Sequence, residues 1–324
     1  MHKVSVSRGA FTLVLALAPA AEVLSQDYPA RPVRLLIPFT AGSATDLLAR
    51  RLAVKMSENW GQQVVIDNRG GGGGTIASNL VAKATPDGYT LLAHSIAFAM
   101  NAALYSKLPY DPVKDFAPAS QIAVSTSVLL VSPALGAKSV KELIVLAKQK
   151  PGQLNFGSSG VGSGTHLNAE QFRFAAGIDV VHVPYKGVPE TLIDLMTGRI
   201  HYFLSPLVPA LPLLKEGKLI PLAVTTPRRS AVLPDVPTMA EAALPGYQFQ
   251  AWFGVFAPAR TPRPIVEKIS GEIARIVELP DIKKQMQAQG EEGRASSPEE
   301  FSKFVRAEID KISRIVKQAG VRIE

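Results

Sequence analysis

Two segments of this chain place glycines and hydroxyl side chains where a hydrophobic strand turns into a helix. The first, VRLLIPFTAGSATDLLARRL, runs from Val33 to Leu52 and carries Phe39, Thr40, Ala41, Gly42, Ser43, Ala44, Thr45 and Asp46 at its turn. The second, LNFGSSGVGSGTHLNAEQF, runs from Leu154 to Phe172 and carries Ser158, Ser159, Gly160, Gly162, Ser163, Gly164, Thr165 and His166. Turns of this kind aim unpaired backbone N–H groups at one spot, and the helix dipole adds partial positive charge there. Small residues let a ligand approach the backbone closely. Neither turn contains Lys or Arg, so the chemistry is capture of an anion by neutral donors. Each loop alone is equally an ordinary strand-to-helix turn of an α/β protein. Two of them, far apart in the chain and both tipped with hydroxyls, point to two lobes closing on one small anion.

Other chemistries fit less well. Ser158, Ser159 and Ser163 lie close to His166 in sequence, which keeps an exported serine hydrolase as the alternative reading. No GxSxG elbow is present, however, and no acid is placed to complete a triad. Gly160, Gly162 and Gly164 form GxGxG, a weak dinucleotide signal whose expected acid comes early, at Asp179. The histidines His2, His94, His166, His182 and His201 form no HxxH, HExxH or Cys/His cluster, so no metal site is assigned. His182 alternates within the apolar run VVHVP and reads as a packing residue, whereas His166 opens a helix beside the second cradle. Asp46 caps or charges the start of the first helix. The run Gly70–Gly74 lacks the GK[ST] ending of a phosphate loop and reads as a mobile turn. No catalytic residue and no cofactor are called for.

The 324 residues are 47% hydrophobic and 19% charged, the balance of a globular chain long enough for two lobes. Residues 1–25 read as an export signal. His2, Lys3 and Arg8 precede the apolar run from Ala10 to Ala18, which is too short to span a membrane, and small residues follow. The mature chain then begins near Gln26 or Asp27, and the compartment is the periplasm. With no cysteine there is neither a disulfide framework nor a lipidated N-terminal cysteine. The net charge of +8 is dispersed. Its densest pairs, Arg50-Arg51 and Arg228-Arg229, lack the interleaved aromatics of a nucleic-acid platform, so nucleic acid is not a partner. The surplus serves solubility and a mild pull on anions.

Strand and helix patterns alternate along the chain. Val33–Phe39, Val64–Asp67 and Tyr89–Ala93 read as strands, and Leu48, Leu52 and Met56 repeat at helical spacing between the first two. This βαβ rhythm predicts a mainly parallel sheet. Ser139 with Glu142 predicts a capping box. A second sheet is expected from Leu154–Gly157, Val180–Val183, Ile200–Leu204 and Leu219–Thr225, with a helix over Glu190–Met196. Trp252–Phe256 is a further strand. Ser297-Pro298-Glu299-Glu300 starts a last helix carrying Phe301, Phe304, Val305, Ile309 and Ile312. The apolar stretches Ile122–Val131 and Ala251–Ala257 are candidate crossings between lobes. They divide the chain into a first lobe over 26–125, a second lobe over 126–252 and a return to the first over 253–324.

The chain resembles the Bug-type extracytoplasmic solute receptors of tripartite tricarboxylate transporters. The resemblance rests on QDYPARPVRLLIPF, TDLLARRLA, ATPDGYTLL, LPYDPVKDFAP, KSVKELIVLAK, VVHVPYKG, AVTTPRRSAVLPDVPT and WFGVFAPARTP, in that order. It implies a two-lobed α/β periplasmic binding protein of the type II-like, Venus-flytrap kind, each lobe a mainly parallel sheet flanked by helices. It further implies a monomer that grips a small carboxylate between its lobes, without catalysis, for an inner-membrane transporter or for sensing. The first-lobe loop Phe39–Asp46 and the second-lobe loop Ser158–Thr165 would hold the carboxylate. The turn Tyr185-Lys186-Gly187 and the strand end His94-Ser95 would face the cleft beside them. This sequence departs from the family pattern twice. Thr40-Ala41-Gly42-Ser43-Ala44 replaces a PGG-like loop, so hydroxyls stand in for some backbone or water contacts. Ser205-Pro206 replaces an Asp-Asn pair whose aspartate meets a ligand ammonium. An unpaired buried ammonium is costly, so the expected ligand is a mono- or dicarboxylate with an uncharged tail, aromatic ones included.

Overall fold

The computed structural model describes residues 2, 28–105 and 107–319, so the export signal expected over residues 1–25 lies, but for residue 2, outside the described residues. The first sheet begins with β1 (Val33–Ile37). Helix α1 (Ala44–Trp60) follows, buries Leu48, Leu52 and Met56, and stops at Gly61 in the left-handed conformation. After β2 (Val64–Asn68) come α2 (Thr75–Ala82), β3 (Thr90–Ser95), α3 (Ala97–Leu104) and β4 (Phe116–Ser125). The chain then enters a second sheet. Its elements are β5 (Ser127–Val131), α4 (Val140–Gln149), β6 (Asn155–Ser158), α5 (Gly164–Ala176), β7 (Val181–Pro184), α6 (Val188–Met196), β8 (Tyr202–Pro206), α7 (Leu207–Lys215), β9 (Ile220–Val224) and α8 (Met239–Ala242). It returns as β10 (Ala251–Pro258), α9 (Arg263–Glu278), α10 (Pro280–Gln287), β11 (Glu291–Gly293) and α11 (Pro298–Ala319).

The result is two lobes, one on the sheet β11-β4-β10-β3-β1-β2 and one on the sheet β7-β6-β8-β5-β9. The expected parallel pairing holds for β2-β1-β3 and for β7-β6-β8. The strands that carry the chain between lobes, and those added after its return, pair antiparallel, so both sheets are mixed. A strand that leaves one lobe and a strand that comes back run in opposite directions, and β4 beside β10 shows this directly. The stretch read as one apolar crossing is two strands. Thr126 stands between them, donating its N–H to the Gly290 carbonyl at 3.1 Å and accepting from the Leu207 N–H at 3.0 Å.

Two helix starts check the capping patterns. Ser297 and Glu300 form the full box: the Ser297 N–H donates to the Glu300 carboxylate at 2.9 Å, and the Glu300 N–H donates to the Ser297 hydroxyl at 3.2 Å. At Ser139 only half forms, because Glu142 accepts from the Lys138 N–H instead. Helix α11 then lays Phe301, Val305 and Ile312 against the first sheet, where Trp252 donates to Glu308 at 3.2 Å.

Candidate binding site

Helices α1 and α5 begin alike. The extended residue Ser43 accepts the Asp46 N–H on its hydroxyl at 3.3 Å, and Ser163 accepts the His166 N–H at 3.2 Å. The carbonyls of the same two serines take the next amides, those of Leu47 and Leu167. The first two amides of each helix remain: Ala44 and Thr45 in one, Gly164 and Thr165 in the other. Among the described residues none of the four N–H groups has an acceptor. All four residues line one cavity of about 40 Å³ between the lobes. Phe39, Ser43, Ser95, Ile96 and Ser159 line it too, as does Val188 at the start of α6. Ser127, Pro206, Phe249, Ala251 and Phe253 complete the wall, which carries no ionisable side chain. The space suits about three waters, so the lobes are drawn together.

The remaining expected residues surround this wall without lining it. Thr40 sits at the rim and donates across the cleft to Glu190 at 3.3 Å. Ala41 is exposed, and the Gly42 N–H is already given to Asp46 at 2.9 Å. Asp46 is buried and also accepts from Arg50 and Asn68. Burial works against its charge, yet the bonds from Arg50, Gly42 and Asn68 hold its carboxyl below the usual value. It therefore shapes the loop from behind. His94 is fully buried against Phe39 and Phe98, while its neighbour Ser95 reaches the cavity, as alternation along β3 requires. Gly160 and Gly162 carry the loop round behind the lining residues with positive φ. Lys186 is exposed, Tyr185 donates to Asp194 at 2.8 Å, and Ser205 turns its hydroxyl to the Pro206 carbonyl.

Ile96, Ser127, Val188, Pro206, Phe249, Ala251 and Phe253 are lining residues that the loop patterns do not single out. The signal for Ser127 and Ala251 was the pair of crossing segments, because a chain passing between lobes must floor the cleft between them.

Close approaches across the cleft fall on glycines. A Cβ at Gly164 would stand 2.7 Å from the Ile96 side chain, and one at Gly73 would strike the Val161 carbonyl. The end of the run Gly70–Gly74, read from the sequence as a mobile turn, is therefore packed, while Gly70 and Gly72 are exposed. Gly73 and Gly74 are buried, with Asn101 donating to the Gly73 carbonyl at 3.0 Å. A second, larger cavity of about 670 Å³ opens on the hinge side between Thr126, Thr226, Arg228 and Gly290. None of the two loops' residues line it.

Behind the second cradle, the rings of His166 and His182 stack at 4.2 Å, and Ser158 holds His182 Nε2 at 2.6 Å. Burial pushes His166 and His182 down to about 4 and His94 down to about 3. All three stay neutral in the fold, whereas in the unfolded chain they protonate near 6.5. The unfolded state thus binds more protons in acid, and stability is lost as pH falls from about 6.5, by up to about 1.4 kcal/mol per pH unit per histidine. The loss from His166 and His182 levels off near pH 4, where they protonate in the fold. Urea unfolding between pH 7 and pH 4 checks this, with His166→Gln/His182→Gln expected to flatten the slope. Equal slopes in both proteins would contradict it.

With this geometry in hand, comparison with known proteins decides the family. The profile of the TctC family, "Tripartite tricarboxylate transporter family receptor", matches residues 48–321. The chain belongs to this family. BugT of Bordetella pertussis is 33% identical over 307 residues, which cover 94% of each chain. A solved structure of R. palustris Rpa4515 with adipate is 40% identical and covers 91% of this chain and 99% of its own, with a TM-score of 0.89. MatC from Rhodopseudomonas palustris with bound malate is 32% identical over 89% of this chain and 100% of its own, with a TM-score of 0.85. The TctC-family chain studied here thus has the two-lobed α/β fold of Bug-type periplasmic binding proteins.

Proposed function

We propose that this protein is a periplasmic receptor that captures a small carboxylate between its lobes, for uptake by a tripartite tricarboxylate-type transporter or for sensing. The observation that carries this reading is that Ala44, Thr45, Gly164 and Thr165, at the starts of α1 and α5, line one interlobe cavity and have amides with no acceptor among the described residues. A carboxylate there completes two helix N-termini at once and accepts charge-assisted bonds away from bulk water. Adipate and malate bound to similar proteins support the ligand class. The apolar wall of Phe39, Ile96, Val188, Phe249 and Phe253, with Pro206 beside it, favours a mono- or dicarboxylate with an uncharged tail. Binding proceeds by hinge closure about Thr126, and the closed form is what inner-membrane transporter subunits meet.

The hydrolytic alternative has one geometric argument, the contact of Ser158 with His182. It is weakened by the burial of Ser158, which is fully enclosed and off the cavity wall. Among the described residues, no Asp or Glu hydrogen-bonds to His182 to orient it.

A thermal-shift screen of the mature protein, freed of ligand by refolding, tests the proposal. The panel spans citrate, C4 dicarboxylates, adipate, amino acids, hexanoate and benzoate. One carboxylate class is expected to raise Tm by mass action, with no turnover. A flat response to every carboxylate would overturn the reading.

A further inference from the structure

The second cradle contains a chain of hydroxyls whose protons the surroundings order. Ser163 is fully buried, and its oxygen already accepts the His166 N–H at 3.2 Å. Among the described residues its one other polar contact is Thr165 Oγ1, at 2.9 Å. The Ser163 hydrogen must therefore go to Thr165, because a buried donor without an acceptor is costly. Thr165 Oγ1 also accepts the Ser159 N–H at 2.8 Å, so two bonds arrive at it. Its own hydrogen then goes to Ser159 Oγ at 2.9 Å, the protein acceptor within reach among the described residues. Ser159 accepts that bond, and its own hydrogen is left over. Ser159 lines the cavity and Ser163 does not. The opposite order would strand a proton at Ser163 inside the protein, whereas this one delivers it to the binding space.

We infer that Ser163 and Thr165 are positioning residues that hold the Ser159 hydroxyl as a hydrogen-bond donor, so that the cavity takes an ionised carboxylate and rejects the carboxamide of the same shape. This rests on the carboxylate reading above. The Ser159 O–H and the amides of Ala44, Thr45, Gly164 and Thr165 all present hydrogen to the occupant, which must then offer oxygens that only accept. A carboxamide brings an NH₂ group to a wall of donors. At the cradle its hydrogens meet donors rather than acceptors, leaving only the Ser95 and Ser127 hydroxyls elsewhere on the wall to take them, which gives the site selectivity without any charged side chain.

The test uses adipate, malate, hexanoate and benzoate with their matching carboxamides, measured calorimetrically on wild type, Ser159→Ala, Thr165→Val, Thr165→Ser and the Ser159→Ala/Thr165→Val double variant. In wild type the best carboxylate is expected to bind at least about tenfold more tightly than its carboxamide. Thr165→Val is expected to cost that carboxylate about tenfold in affinity, the worth of a bond to an ionised acceptor, and to narrow the ratio. Thr165→Ser keeps the hydroxyl and restores both, and the double variant costs no more than Ser159→Ala alone. A purely structural Thr165 lowers Tm but leaves the ratio of carboxylate to carboxamide unchanged, so an unchanged ratio in Thr165→Val overturns the inference. Additive losses in the double variant do the same. Failure of these four and of every other carboxylate in the thermal-shift panel to bind wild type overturns the carboxylate reading itself.

Discussion

Ala44→Pro is expected to weaken carboxylate binding about 10- to 100-fold with little change in stability. Ala44 is the first residue of α1, a position whose N–H has no partner within a helix and where proline fits. The preceding residue, Ser43, has φ −67° and ψ 158°, the extended geometry that a following proline requires. The substitution therefore leaves the helix in place, removes one of the four cradle amides and puts a ring methylene where its hydrogen pointed. A hydrogen bond to a charged group contributes about 1.5–3 kcal/mol, which sets the range of the loss. Calorimetric titration beside a thermal melt checks it. Unchanged affinity in a protein of wild-type Tm would mean that the start of α1 does not meet the ligand.

The second large effect is expected at Gly187, on the rim. Its backbone is extended, φ −170° and ψ 177°, so valine suits it without strain. A side chain there would nonetheless overlap Thr40 of the other lobe and stand 3.0 Å from the Glu190 carboxylate, whose partner is Thr40. Gly187→Val should thus hold the lobes apart while each folds normally. Overpacking of this kind costs about 1–3 kcal/mol. Charged against closure alone, it lowers the closed population and the apparent affinity by about 5- to 150-fold. Small-angle scattering with saturating ligand is the direct readout. Wild type should contract on binding, and the variant should need far more ligand to do so. Equal contraction at equal ligand would contradict the rim contact.

The cradles were legible in the sequence because their signal is local. A strand ending in small and hydroxyl residues, followed by helical periodicity, marks Phe39–Asp46 and Ser158–His166 as strand-to-helix turns; that Ser43 and Ser163, rather than Asp46, cap the helices is seen only in the structure. Which residues face one another was not legible. Gly73 read as part of a mobile turn and Gly164 as a cradle residue, and neither reading reports that Val161 and Ile96 stand opposite them. Gly70–Gly74 was expected to move, yet its end, Gly73 and Gly74, is buried, and Gly73 closely approaches Val161 of the other lobe. β11 has no strand signature in Glu291-Glu292-Gly293. It is a strand because β4 offers an edge to pair with, and Arg51 covers the buried Glu291 carboxylate. The expectation of mainly parallel sheets came from local βαβ rhythm, which cannot report the direction in which β10 re-enters the first lobe. The lining residues Phe249 and Phe253 belong to that same return, and only the folded chain sets them beside Phe39.

The most direct measurement is an amide NMR titration of the mature, ligand-free protein with the carboxylate that gives the largest thermal shift. Amides hydrogen-bonded to a carboxylate move downfield. The N–H signals of Ala44, Thr45, Gly164 and Thr165, two from each lobe, are expected to move downfield together along one binding curve. Stationary cradle amides, with shifts confined instead to Thr126, Thr226 and Gly290 around the hinge-side cavity, would contradict a carboxylate held between the two helix starts.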